Sequence, residues 1–135
     1  MRFIKMLPVV LAFACAGEDG LTITGEYEDG FGGTHTITDA SWVQDYGDYG
    51  ITSFEVVDYD NDVGFVIGLG GEDNAYNAGL YSRFDFVTVD DQLWFCQSVF
   101  DAGTAQEAID ASGGDAADPA AGGCGGYPWS ALDPL

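Results

Sequence analysis

The chain has 135 residues, with 23 Asp and Glu against 3 Lys and Arg, for a formal net charge of −20. Nucleic-acid affinity depends on Lys and Arg meeting phosphates, so this balance excludes DNA and RNA as partners, and anionic membrane surfaces repel the chain. A content of 47% hydrophobic and 14% aromatic residues excludes disorder, and the length fits a single domain.

Two of the bases, Arg2 and Lys5, precede the apolar run Met6-Leu7-Pro8-Val9-Val10-Leu11-Ala12-Phe13-Ala14, which stops at Cys15. The run is too short for the roughly 20 residues that a membrane-spanning helix needs, and has the length of a signal-peptide core. Residues 1–14 are therefore expected to be a signal peptide. Ala12-Phe13-Ala14 fits ordinary secretory cleavage, and Leu11 to Cys15 also resembles a bacterial lipoprotein signal, with lipid attached to Cys15. Both routes export the protein, and residues 15–20 form a polar tether.

Removing residues 1–14 leaves Arg83 as the only base beside all 23 acids, so the charge becomes 1 − 23 = −22. A charge this large opposes compaction by self-repulsion, which salt screens. It points to a saline habitat or to bound divalent cations. Lipid on Cys15 would also leave Cys96 and Cys124 as an even pair in an oxidising compartment. As a disulfide the pair would close about 29 residues, worth about 3–4 kcal/mol by loop entropy. The other reading is two reduced, buried cysteines.

From residue 21 the sequence alternates with period two: Leu21, Ile23, Gly25 and Tyr27 share one face, and Thr22, Thr24, Glu26 and Glu28 the other. This predicts a half-buried strand. The turn Asp29-Gly30-Phe31-Gly32-Gly33 leads to a strand over residues 34–38, and a third surrounds Trp42 and Val43. The tract from Asp45 to Gly50 reads as a loop. Residues 51–59 and 63–69 form a predicted hairpin about Asn61-Asp62, and residues 81–89 and 92–99 a second across Asp90-Asp91. A Gly- and Asn-rich loop, 70–80, separates the two.

These segments predict a mainly β fold, an antiparallel meander of about seven strands closing into a small barrel or remaining an open sheet. A Gly-, Ala- and Asp-rich tail follows over residues 101–126. Within it the capping-box spacing of Thr104 and Glu107 opens one short helix that ends before Gly113-Gly114. Tyr127 and Trp129 are expected to dock back on the sheet, with Cys124 stapling the tail to a core strand through Cys96. Residues 21–135 thus make a single β-domain.

Asp58, Asp60 and Asp62 alternate like the start of a calcium loop, but Val63 and Leu69 stand where an EF-hand needs Gly and a bidentate Glu. They read either as an acidic turn or as a calcium site. His35, the single histidine, cannot build a typical zinc site alone and reads as a strand residue that one of the many acids can orient. The cysteines lack CxxC spacing, no serine sits in a nucleophile elbow, and the glycines after Leu69 open no phosphate-binding helix. Arg83, within Tyr81-Ser82-Arg83-Phe84-Asp85-Phe86, could grip a ligand carboxylate or an acid of its own chain.

Taken together, GGTHTIT followed by a Trp, YDND, YSRFDF, LWFCQ and CGGYPW resemble a family of small uncharacterised bacterial lipoproteins across residues 23–132. The resemblance implies an exported, often lipid-anchored β-domain with the second cysteine pair bridged, and it implies no catalytic residue. The opening strand and meander also resemble lipocalin-like β-domains. The expected protein is an extracytoplasmic, lipid-anchored, non-enzymatic envelope protein with a binding role. Its partners would be the membrane, through the lipid, and a small apolar ligand or another envelope component, with Arg83 as a polar contact. Calcium is the one cofactor foreseen, in a calcium-stabilised structural or adhesive module, and a hydrolase using carboxylates and His35 is the remaining alternative.

Overall fold

The computed structural model describes residues 20–135, so the expected signal peptide, Cys15 and most of the expected tether lie outside the described residues. Eight strands follow one another: β1 (Gly25–Glu28), β2 (Thr34–Ile37), β3 (Ser41–Asp45), β4 (Ile51–Asp60), β5 (Phe65–Gly70), β6 (Tyr81–Val89), β7 (Gln92–Ala102) and β8 (Ser130–Pro134). Each pairs antiparallel with its neighbour in sequence, and β8 returns to β1, closing an eight-stranded barrel. Closure removes every free edge, which matters for a meander that would otherwise expose two rows of unpaired backbone groups.

Alternation places one face of each strand inside. Ile37, Trp42, Phe54, Val66, Phe84 and Phe95 share one buried cluster with Leu21, Ile23, Leu93 and Leu132. Trp42 and Phe84 stack at 4.5 Å between ring centroids, and Phe54 meets Phe84 edge-on at 5.0 Å. An eight-stranded barrel is just wide enough for side chains to fill. These rings occupy the middle of this one, where a small apolar ligand would otherwise sit.

A meander sends alternate turns to opposite ends. Turns 38–40, 61–64 and 90–91 lie at one end, together with residues 20–24. The strand expected over residues 21–28 is therefore shorter than predicted. Leu21 and Ile23 are buried as their alternation implied, but they leave the ladder to plug this end. Side chains hold them there: Leu21 N–H donates to Asp39 Oδ1 (2.8 Å), Thr22 N–H to Asn61 Oδ1 (3.0 Å), and Asn61 Nδ2 to the Gly20 carbonyl (2.7 Å). The 90–91 turn is a two-residue hairpin in which Asp90 and Asp91 both take positive φ, 51° and 66°.

The tail covers the outer wall. Thr104 Oγ1 accepts the Glu107 N–H (3.1 Å) and Glu107 Oε1 accepts the Gly103 N–H (2.7 Å), starting α1 (Ala105–Asp110) where the capping spacing predicted it. Helix α1 packs Ala108 and Ile109 against Phe65, Ile67 and Val99 on the outward faces of β5 and β7. Cys96 and Cys124 form the disulfide, and Trp129 is buried while Tyr127 stays exposed. The chain then enters β8, which the sequence reading left out of its seven strands. Ser-Ala-Leu-Asp-Pro has no β-branched residue and only Leu132 facing the core, so nothing local marks it as a strand. It forms because β7 and β1 offer it two ladders at once.

Two outcomes follow for stability. Replacing Cys96 and Cys124 together by Ser removes a closed loop spanning 28 residues of sequence separation. It should lower the unfolding free energy by about 3–4 kcal/mol in a denaturant melt without reductant. Asp91→Gly, at a left-handed position that an L side chain resists, should raise it by about 1 kcal/mol.

Candidate functional site

The other end of the barrel carries the loops 29–33, 46–50 and 71–80 and the start of the tail. Beneath them the interior turns polar. His35, Gln44 and Ser82 are buried there, and Gln97 donates from Nε2 to Ser82 Oγ (3.1 Å). The organising group is Asp29, the residue that follows β1. Its Oδ1 accepts the N–H groups of Phe31 (2.8 Å) and Gly33 (2.9 Å), which folds the turn. Its Oδ2 accepts the Tyr46 hydroxyl (2.6 Å) and His35 Nε2–H (2.8 Å).

Trp42 settles the histidine tautomer. Its Nε1–H donates to His35 Nδ1 (3.0 Å), and an indole N–H can only donate. Nδ1 is thus the acceptor and the proton sits on Nε2, pointing at Asp29. The result is a buried chain, Trp42 to His35 to Asp29, with Tyr46 joining from β3's far end. Burial pushes the His35 pKa down, against the pull of the nearby Asp29 carboxylate, so His35 is neutral. For Asp29, burial alone would raise the pKa, but the hydrogen bonds from Tyr46, His35, Gly33 and Phe31 outweigh it and hold the carboxyl below its ordinary range. Burial and the adjoining carboxylate push the Tyr46 phenol far up, so it stays protonated. Gly33 makes room for this: a Cβ there would run into the Tyr46 ring.

The three loops are tied together as well. Tyr46 bonding to Asp29 joins 46–50 to 29–33. Asn74 holds Ser53 from both sides, Oδ1 accepting the Ser53 N–H (2.9 Å) and Nδ2 donating to its carbonyl (2.8 Å), which ties loop 71–80 to the start of β4. Asn77 Nδ2 donates to the Phe100 carbonyl (2.6 Å) on β7. On this braced platform Phe31 is 78% exposed, Tyr49 96% and Tyr76 81%. Four of the five exposed aromatic side chains among the described residues, these three and Phe100, belong to this end. Protruding aromatics on ordered loops are what recognition surfaces are built from.

The residues singled out from sequence fall elsewhere. Arg83 alternates with Phe84 and so faces outward, where it is buried under the tail. Its Nε donates to Asp85 Oδ1 (2.9 Å), and Nη1 to the carbonyls of Ala108 (3.3 Å), Ile109 (2.7 Å) and Ala111 (3.0 Å) at the end of α1. It also lies 4.6 Å over the Phe65 ring. Of the two kinds of partner open to Arg83, the structure shows an acid of its own chain, and the residue fastens the tail, with Asp85 also accepting from Ser98 Oγ and the Gly114 N–H. Asp60 Oδ1 caps the turn by accepting the N–H groups of Asp62 (2.9 Å) and Val63 (2.9 Å), and Asp58 Oδ1 accepts the Tyr59 N–H (2.8 Å). No three His, Cys, Asp or Glu side chains converge to hold a metal ion among the described residues. His35 lies in a strand, as its sequence context implied, with its side chain fully buried, Nε2 bonded to Asp29 and Nδ1 to Trp42.

No family model, curated protein or solved structure matches the chain, so the site rests on its own geometry. Asp29 and Tyr46 were missed as a pair because 17 residues separate them. The one local cue was an Asp opening a Gly-rich turn, the arrangement in which an Asp side chain commonly bonds the backbone ahead of it.

The network predicts a pH profile. With the folded His35 pKa below its ordinary value of 6.5, the unfolded chain takes up the proton first as pH falls. Stability is complete above about pH 6.5 and declines below it, by up to about 1.4 kcal/mol per pH unit. The Asp29 contribution, with its folded pKa also depressed, is lost only below about pH 4. Denaturant melts between pH 7.5 and 5 should show the first decline in the native protein and none of it in His35→Gln. Asp29→Asn should keep the slope but lose about 3 kcal/mol throughout, since a neutral amide cannot satisfy every donor.

Proposed function

We propose that the protein is an exported, lipid-anchored binding module of the bacterial envelope, which holds its loop end out to a partner. The single observation that carries this reading is the polarity of the barrel. Residues 20–24 are pinned across the closed end by Asp39 and Asn61, while the exposed aromatics crown the opposite end.

Lipid on Cys15 would then orient the molecule. A tether of about five residues reaches no more than about 17 Å when fully extended, so the closed end would stay beside the membrane. The loop end would face away from it. The buried disulfide suits an oxidising, extracytoplasmic compartment, and because it uses Cys96 and Cys124 it leaves Cys15 for acylation. The likeness to small bacterial lipoproteins agrees with this role. The packed interior moves binding from inside the barrel to its rim, and the fully bonded His35 favours binding over hydrolysis.

The intact mass of protein from the membrane fraction tests the anchor. It should equal a chain beginning at Cys15 plus a diacylglycerol-type modification, less about two daltons for the hydrogens lost in bridging Cys96 and Cys124. An unmodified chain in the soluble fraction would overturn the anchoring. Orientation is checked on vesicle-bound protein with a membrane-impermeant maleimide: Tyr49→Cys should label severalfold faster than Asp62→Cys at the closed end.

A further inference from the structure

Every exposed charge on the described residues is negative. Arg83, the one base among them, is only 6% exposed and already paired, and His35 is buried and neutral. The charged residues in the loops that carry the protruding rings are all acids: Asp45 and Asp48 precede Tyr49 in the chain, and Glu72 and Asp73 precede Tyr76.

This combination discriminates between occupants. A second copy of the exported chain would bring a like net charge of 1 − 23 = −22, and nucleic acid or an anionic lipid would also bring negative charge. An apolar partner surface would use the rings but would leave the flanking carboxylates to be desolvated unpaired. A neutral glycan would use the rings and leave the charge without a role. A surface bearing Arg and Lys uses both: guanidinium or ammonium over an aromatic face, and ion pairs with the acids around it.

The loops that carry the rings are held by hydrogen bonds. Asp29 bonds the N–H on each side of the Phe31–Gly33 turn, and Tyr49 N–H donates to the Tyr46 carbonyl (3.2 Å) while Gly50 N–H donates to that of Gly47 (3.0 Å). Asn74 and Asn77 hold the loop of Tyr76. The loop backbone needs little ordering on binding, which favours affinity.

We propose that the loop end docks a cationic protein surface, with Phe31, Tyr49 and Tyr76 receiving Arg or Lys side chains and Asp48 and Asp73 flanking them. This rests on reading the loop end as the binding face. Long-range attraction speeds the encounter, and the rings make it local to one end.

An Arg-Gly repeat peptide titrated into the full-chain protein at about 0.15 M salt tests it, since long-range attraction is then largely screened. Phe31→Ala, Tyr49→Ala and Tyr76→Ala combined change no charge and should weaken binding about tenfold or more. Tyr49→Ala alone should give part of that loss. Val63→Ala, Val89→Ala and Leu135→Ala combined, at the closed end, should leave binding within about twofold of the native value. Thermal melts confirm that each variant is folded. Equal peptide binding by the native and ring-free proteins would overturn the proposal, attraction then being a matter of net charge. If the peptide does not bind but a neutral oligosaccharide does, and is lost in the ring-free protein, the cationic partner falls while the binding face stands. If no probe responds to the rings, both fall.

Discussion

A buried carboxylate with no cation beside it holds the working end of this barrel together. Asp29 keeps its charge because four donors converge on it: two backbone N–H groups, a phenol and an imidazole. Each supplies a fraction of positive charge where water has been excluded, which is what a buried anion needs when no counter-ion is present. In return, it aligns a turn, a loop and a core histidine. The histidine passes the constraint inward to Trp42, whose ring stacks on Phe84 in the middle of the barrel. Loop position and core packing are thus one connected arrangement.

The rest of the molecule can be read as the management of charge. With acids on every exposed side, the chain repels itself, and a closed barrel meets that with a continuous ladder and a filled interior. The Gly- and Ala-rich tail has too little apolar surface to adhere unaided. It is fastened by the disulfide, by Trp129, and by Arg83, the only base of the described residues, which is spent on Asp85 and on the carbonyls that end α1. Placing that base under the tail is also what leaves the surface uniformly negative. The stability device and the recognition chemistry come from the same residue.

The two ends of the barrel divide the labour by composition. At the closed end Leu21, Ile23, Leu93 and Leu132 seal an apolar interior, and the exposed hydrophobics nearby are aliphatic. At the loop end the interior becomes polar and most of the exposed hydrophobics are aromatic, Ile51 being the exception. Polar groups below the rim give the loops hydrogen-bond partners that an apolar interior could not offer, which is how long connections stay ordered enough to present side chains.

The sequence by itself determined the strand faces, the hairpins about Asn61-Asp62 and Asp90-Asp91 and the cap of α1, because each depends on side chains close in sequence; it left Cys96 and Cys124 either bridged or reduced, and the structure bridges them. The alternation of residues 21–28 marked which side chains are buried, though not that the first of them leave the ladder to plug an end. Only the tertiary structure decided that the sheet closes, since β8 has no strand character of its own and exists because two edges accept it. It alone chose Asp29 among 23 acids as the partner of His35, and turned Arg83 outward beneath a helix rather than inward toward a ligand. These outcomes depend on contacts between residues far apart in the chain, and with so many carboxylates available no local pattern can say which one a buried donor will find.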